Sequence, residues 1–144
     1  MFFTHDRNQL RQVFFQAWQK ARAGQPLEPM EQVIANVIDQ HPEYYNFFEN
    51  VNNLEKDFLP EAGQTNPFLH VSMHLSIHEQ IVVDQPRGLK AQYEKLMLSK
   101  KDPHEVEHIM MDCLSEMIWK AQRENRAPDE NDYLDCLRLK NKMR

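Results

Sequence analysis

Residues 66–83 have the sequence NPFLHVSMHLSIHEQIVV. His70, His74 and His78 recur in it at every fourth position, which places them on one side of an α-helix. Aliphatic residues flank the three histidines on both sides, so the imidazoles lie in the middle of the apolar face. A buried imidazole needs a hydrogen-bond partner or a metal ion. The segment therefore predicts a helix whose histidines form either a hydrogen-bonded core or a metal site.

The rest of the chain has the sequence features of an all-helical protein. Its prolines and glycines fall where helical patterns begin or end, and it lacks Asn-Gly and Asp-Gly hairpin turns. We therefore predict an all-α fold: a single domain over residues 1–144 that forms a compact bundle of six or seven helices with no sheet. Apolar residues at helical spacing predict helices over about residues 6–22, 28–40, 42–58, 66–83, 89–101, 103–124 and from 128 onward.

Composition argues against several classes of function. The net charge of −5 disfavours general binding of nucleic acid, because affinity for phosphates comes from clustered Lys and Arg. The basic residues near the end of the chain follow acidic residues that open the same predicted helix, an order that complements the helix dipole. No apolar stretch approaches the ~20 residues that a membrane span requires. We therefore expect neither a membrane protein nor a general nucleic-acid binder, while a homodimer or a protein partner stays open.

Cys113 and Cys136 are the only cysteines, and each lies inside a predicted helix. A chain of 144 residues can bury a core without disulfides. We therefore expect two free thiols and a reducing compartment, with the cytoplasm as the location. The first residues carry neither a basic leader nor an apolar run of signal length, which agrees with that expectation.

Two histidine pairs at a spacing of four residues are the main candidates for a metal site. His70 pairs with His74 and His104 pairs with His108, so each of two helices could present two imidazoles to one ion. Four imidazole nitrogens would suit zinc, whereas a set that includes a carboxylate would also suit iron or manganese. The predicted site residues, of which the last two are outer candidates, are His70, His74, His108, Glu116, His41 and His104.

Residues 104–108, His-Glu-Val-Glu-His, also match the H-E-x-x-H pattern of zinc proteases. In that pattern the two histidines bind zinc and the glutamate acts as a base toward a bound water. Proteases of this type need a third ligand at a defined downstream position and a strand edge that aligns the substrate, and the sequence supplies neither. The match therefore does not by itself predict a protease, and whether the protein is an enzyme stays open.

Three strings of sequence carry a resemblance to a known family. They are HPEY at residues 41–44, NPFLH at residues 66–70 and EHIMMDCLSE at residues 107–116. With these strings the chain resembles a proteobacterial family numbered 1841 among the domains of unknown function, over nearly its whole length. The resemblance implies a small, helical, cytoplasmic bacterial protein with no established activity and no assigned catalytic residues. The polar positions that belong to the strings or follow them closely are His41, His70, His74, His108 and Glu116.

Two classes of function follow from these observations. The first is binding of a transition metal ion by a buried cluster of histidines and carboxylates. The second is a non-catalytic helical interaction module, in which the histidines are hydrogen-bonded core residues and an exposed apolar patch meets the partner. Phe2, Phe3 and Phe15 lie off the main apolar stripe of the first helix, so they are candidates for that patch or for a dimer contact.

Overall fold

The computed structural model describes residues 7–58 and 66–143. Within those ranges the chain forms helices and no strand, which confirms the predicted all-α fold without a sheet. None of these helices is both long and apolar enough to cross a membrane. The α-helices are α1 (Arg7–Arg22), α2 (Pro29–Asp39), α3 (Tyr45–Glu49), α4 (Pro67–Val83), α5 (Leu89–Lys100), α6 (Pro103–Arg123) and α7 (Glu130–Lys142).

The two helices that carry the histidine pairs begin at the predicted residues. The Asn66 side-chain oxygen accepts a hydrogen bond from a backbone N–H in the first turn of α4, at 3.2 Å, and Pro67 is the first residue of that helix. The Asp102 carboxylate accepts a hydrogen bond from the backbone N–H of His104 at 3.1 Å. Such caps satisfy backbone donors that have no partner inside the helix. They therefore fix the position of the first histidine in each helix.

The predicted third helix, over about residues 42–58, is wrong as one continuous element. The chain instead forms a 3-10 turn over Pro42–Tyr44, then α3, then a second 3-10 turn over Val51–Glu55. The break lies at Asn50, whose backbone is extended and whose side chain accepts a hydrogen bond from the backbone N–H of Asn52 at 3.0 Å. Asparagine side chains compete with a helix for backbone groups, so apolar spacing alone does not keep this segment helical.

Contacts divide the chain into two compact units, residues 1–75 and 76–144, and the division falls inside α4. The core of the first unit is rich in aromatic rings from α1, α3 and the start of α4. Aliphatic side chains of α2 complete it at the spacing that the sequence predicted. Its most deeply buried members include Phe14, Trp18, Ile34, Ile38, Phe48, Phe68, Val71 and Leu75.

Phe15 belongs to this core, so its prediction as part of an exposed patch is wrong. Its side chain is only 6% exposed, and its ring lies 5.6 Å from that of Phe48 and 5.9 Å from that of Phe68. The apolar face of α1 is wider than its main stripe because α3 and α4 supply rings on the second side. Phe2 and Phe3 lie outside the described residues.

The second unit is built from α5, α6 and α7, each of which contacts the other two. A few polar side chains are buried among its apolar ones and are hydrogen-bonded. The Tyr133 hydroxyl donates to Gln80 at 2.8 Å, and the Asn141 amide donates to the side chain of Gln92, also at 2.8 Å. The main apolar contributors are Leu89, Leu96, Val106, Met110, Tyr133 and Leu137.

Cys113 and Cys136 form a disulfide, so the prediction of two free thiols is wrong. The bond joins α6 to α7, with the two Cα atoms 5.6 Å apart. Cys113 is buried and Cys136 is half-buried. Their proximity depends on how two separate helices pack, which neither residue's local sequence encodes. The cysteines therefore do not indicate a reducing compartment.

Candidate metal centre

His41 follows the last turn of α2 and is nearly fully buried, with 3% of its surface exposed. Its Nδ1 atom lies 2.7 Å from the backbone carbonyl oxygen of Val37. A carbonyl oxygen only accepts hydrogen bonds, so Nδ1 carries the proton, and in the neutral ring Nε2 is the nitrogen that accepts a hydrogen bond or binds an ion. This is the arrangement in which metal-binding histidines are commonly held, with one nitrogen fixed by a carbonyl group and the other available to the ion.

His70 and His74 bring two more imidazoles to His41 from adjacent turns of α4. The Nε2 atoms of His70 and His41 are 3.0 Å apart. The ring centroids are separated by 4.7 Å for His41 and His70, and by 5.0 Å for each of the other two pairs. The three rings therefore form a nearly equilateral triangle, in which His74 is fully buried. His70 and His74 therefore lie on the side of α4 that faces His41.

Tyr44 covers one side of this cluster. Its ring is stacked on that of His41, with centroids 5.2 Å apart and an angle of 13° between the planes. The residue is 8% exposed, and burial raises the pKa of its hydroxyl group. The phenol therefore stays neutral at physiological pH, and it contributes an aromatic wall that excludes water from one face of His41.

The second histidine pair lies in the first two turns of α6. The ring centroids of His104 and His108 are 4.3 Å apart, and both side chains are half-buried. The cap at Asp102 orders the turn that begins this pair. A spacing of four residues on one helix thus presents two imidazoles side by side, as predicted from the sequence.

Within the first unit, the cluster of His41, His70 and His74 offers several imidazole nitrogens close to one another. Two nitrogens that bind the same ion at about 2.1 Å lie roughly 3 to 4 Å apart. The 3.0 Å between the Nε2 atoms of His41 and His70 is close to that range, so the cluster has donor atoms at a spacing that could hold a metal ion.

The predicted site residues differ in their surroundings. His70 belongs to the cluster in the first unit, where its ring contacts that of His41. Glu116 is exposed on α6, where a carboxylate oxygen lies 3.5 Å from the Sγ atom of Cys136. His41, which was predicted only as an outer candidate, is a member of the first-unit cluster, and the signal for it was its position at the end of the apolar stripe of α2.

His78, the third histidine of the α4 series, has a different role from the others. Its Nε2 atom lies 3.2 Å from a carboxylate oxygen of Glu107, which is buried. This hydrogen bond raises the pKa of His78 despite the opposing effect of burial. His78 thus gives the buried Glu107 carboxylate a hydrogen-bond partner within the second unit. It is an ion-pair partner, and it can serve as a control for substitutions of the other histidines.

Comparison with known proteins identifies a family but no function. A family described as a domain of unknown function (DUF1841) matches residues 6–139, which confirms the resemblance inferred from the three sequence strings. No curated protein and no solved structure is detectably similar to the chain. The histidine geometry is therefore the main guide to function.

Proposed function

The chain belongs to this family of unknown function, and on that premise we propose that it binds a transition metal ion through imidazole nitrogens. The observation that carries the proposal is the buried cluster around His41, in which the Val37 carbonyl leaves Nε2 as the basic nitrogen. His74 is fully buried against the same ring. Burying several imidazoles together is costly unless each nitrogen is satisfied, and an ion satisfies several of them at once.

The ligands that we propose in the first unit are His41 and His74. His104 and His108 stay candidate ligands because of their spacing of four residues in the sequence. Imidazole suits zinc, copper, iron and nickel, and a set of nitrogens without a carboxylate favours zinc over manganese or magnesium. Four protein ligands would make the ion structural, whereas three ligands and one open position would let the metal act as a Lewis acid. In this proposal His70 is a hydrogen-bonding neighbour of His41, and Glu116 lies outside the set.

The test is the metal content of the protein purified without a polyhistidine tag. We expect about one equivalent of metal to remain after dialysis of the wild-type protein, and His74→Ala to lose it. His78→Ala is the matched control, because it removes an imidazole from the same helix that is outside the proposed set. Two results would contradict the proposal. One is a wild-type protein that holds no metal after zinc has been supplied, and the other is an equal metal content in the wild type and His74→Ala.

The alternative class, a helical interaction module, has one observation in its favour. Val82 is 81% exposed and Val83 is 60% exposed, at the end of α4, and Leu98 on α5 is 76% exposed. Exposed aliphatic side chains of this kind are common at partner contacts, although single ones also occur on ordinary surfaces. Light scattering across a range of protein concentrations, with Val82→Lys as the variant, tests whether this surface mediates self-association.

A further inference from the structure

A cavity of about 400 Å³ lies in the first unit, away from the histidine cluster. It is open to solvent, and residues of α1, α3 and the second 3-10 turn line it. Its apolar surface includes the rings of Phe15, Trp18 and Phe48. A volume of this size lies within the range of sites for small molecules, which are mostly apolar with a few polar groups.

Two opposite charges also line the cavity. The guanidinium group of Arg22 lies 3.5 Å from a carboxylate oxygen of Glu49, and the two side chains are 58% and 42% exposed. An ion pair that is this exposed contributes little to stability, so a ligand that offers each charge a better partner can separate it. The cavity therefore presents a cation and an anion a few ångströms apart beside an aromatic surface.

Trp18 forms a tightly packed part of the cavity wall. The residue is only 3% exposed, and the ring of Tyr45 stacks on its indole, with centroids 5.0 Å apart. The indole is therefore held in place at the edge of the cavity, where it contributes aromatic surface to the lining.

We propose that this cavity binds a free α-amino acid with an apolar side chain. The α-carboxylate would pair with Arg22, while the α-ammonium group would pair with Glu49. The side chain would pack against the rings of Phe15 and Phe48. Only a zwitterion with an apolar body matches all three features of the cavity, because a simple acid leaves Glu49 without a partner and a simple amine leaves Arg22 without one.

The test uses Trp18 as its own reporter. Trp18 and Trp119 are the two tryptophans, and Trp119 is 56% exposed on α6, so Trp119→Phe leaves the indole of the cavity as the only signal. In that background, titration with L-phenylalanine and with L-leucine should change the tryptophan fluorescence and saturate. Glycine, 2-phenylethylamine and 3-phenylpropionate, which each lack one feature of the ligand, should bind at least ~10-fold more weakly.

Charge-neutral variants test the two head-group contacts. We expect Arg22→Gln and Glu49→Gln each to weaken binding of L-phenylalanine by about 10-fold or more. Arg138→Gln removes a comparably exposed arginine of an ion pair on α7, and its affinity should stay within about twofold of the parent. No saturable signal up to about 10 mM amino acid would overturn the proposal, as would equal binding of 3-phenylpropionate or an unchanged affinity in Arg22→Gln.

Discussion

The Nε2 atoms of His41 and His70 lie 3.0 Å apart, a distance at which one nitrogen donates a hydrogen bond and the other accepts it. Since the Nδ1 proton of His41 is given to the Val37 carbonyl, the neutral His41 ring accepts and His70 donates. A metal ion on His41 would therefore compete with the His70 proton for the same electron pair. The two histidines are close neighbours with opposite expected effects on metal binding.

The first prediction compares alanine variants of these two histidines. His41→Ala should weaken zinc binding by at least about 100-fold, because it removes a buried ligand. His70→Ala should retain one equivalent of zinc with an affinity within about threefold of the wild type, because it removes only a competitor for Nε2. Competition with a chromophoric chelator measures both constants. An equal loss in the two variants would instead make His70 a ligand.

The second prediction concerns the disulfide between α6 and α7. A cross-link between cysteines at a sequence separation of 23 stabilises a domain by about 3 kcal/mol. We therefore expect the Cys113→Ser, Cys136→Ser double variant to melt roughly 6 to 12 °C below the wild type. A reducing agent should lower the melting temperature of the wild type to that of the double variant and leave the variant unchanged. Identical melting curves for oxidised and reduced protein would contradict this expectation.

The helix starts could be predicted from sequence because their signals are local. Asn66 followed by Pro67 specifies a cap and a first turn, and Asp102 does the same for α6. The break at Asn50 was missed because the apolar spacing across it is helical, and the competing asparagine hydrogen bonds carry no periodic signal. Local capping residues therefore predict where these helices begin. Apolar spacing alone predicts a continuous helix wrongly where turn-forming side chains interrupt it.

The candidate site could be predicted in part for the same reason. A spacing of four residues places His70, His74 and His78 on one side of α4, whatever surrounds that helix. Which of them meets another histidine depends on tertiary packing, and His78 meets Glu107 instead. The pairing of the two cysteines depends on tertiary packing in the same way, so no pattern in the sequence distinguished it from two free thiols.

The third prediction concerns Arg11, a buried cation in the first unit. Its side chain is 5% exposed, donates to the backbone carbonyls of Leu54 and Lys56 at 2.9 and 3.0 Å, and lies 4.0 Å from the centre of the Phe68 ring. Arg11→Met keeps the apolar length but leaves both carbonyl groups without this donor, which should cost roughly 2 to 4 kcal/mol. Chemical denaturation measures the loss.

Arg11→Lys distinguishes the charge from the geometry of this contact. A lysine keeps the positive charge but lacks the planar group that spans two carbonyls and stacks on a ring. We expect it to recover less than half of the stability that Arg11→Met loses. Full recovery by lysine would mean that charge alone matters at this position, and an unchanged stability in Arg11→Met would mean that the contacts with Leu54 and Lys56 add nothing.

The last prediction is a pH dependence at the start of α5. The Asp84 carboxylate accepts hydrogen bonds from the backbone N–H groups of Lys90 and Gly88, at 3.0 and 3.2 Å, and these bonds lower the pKa of Asp84 below its ordinary value of 3.8. A carboxyl group whose pKa is lower in the folded protein stabilises it above the unfolded pKa, and this contribution is lost as the pH falls through the folded value. The wild type should therefore melt a few degrees above Asp84→Asn at pH 7, and the difference should shrink below about pH 4.

Asn tolerates the positive φ of 53° at this position, so the substitution removes the charge without a backbone penalty. Asp112→Asn is the control, because it removes one negative charge from an exposed position on α6. The change in melting temperature that it causes is subtracted from the change caused by Asp84→Asn. If the remaining change in melting temperature stays constant from pH 7 to pH 3.5, the proposed role of the Asp84 carboxylate is contradicted.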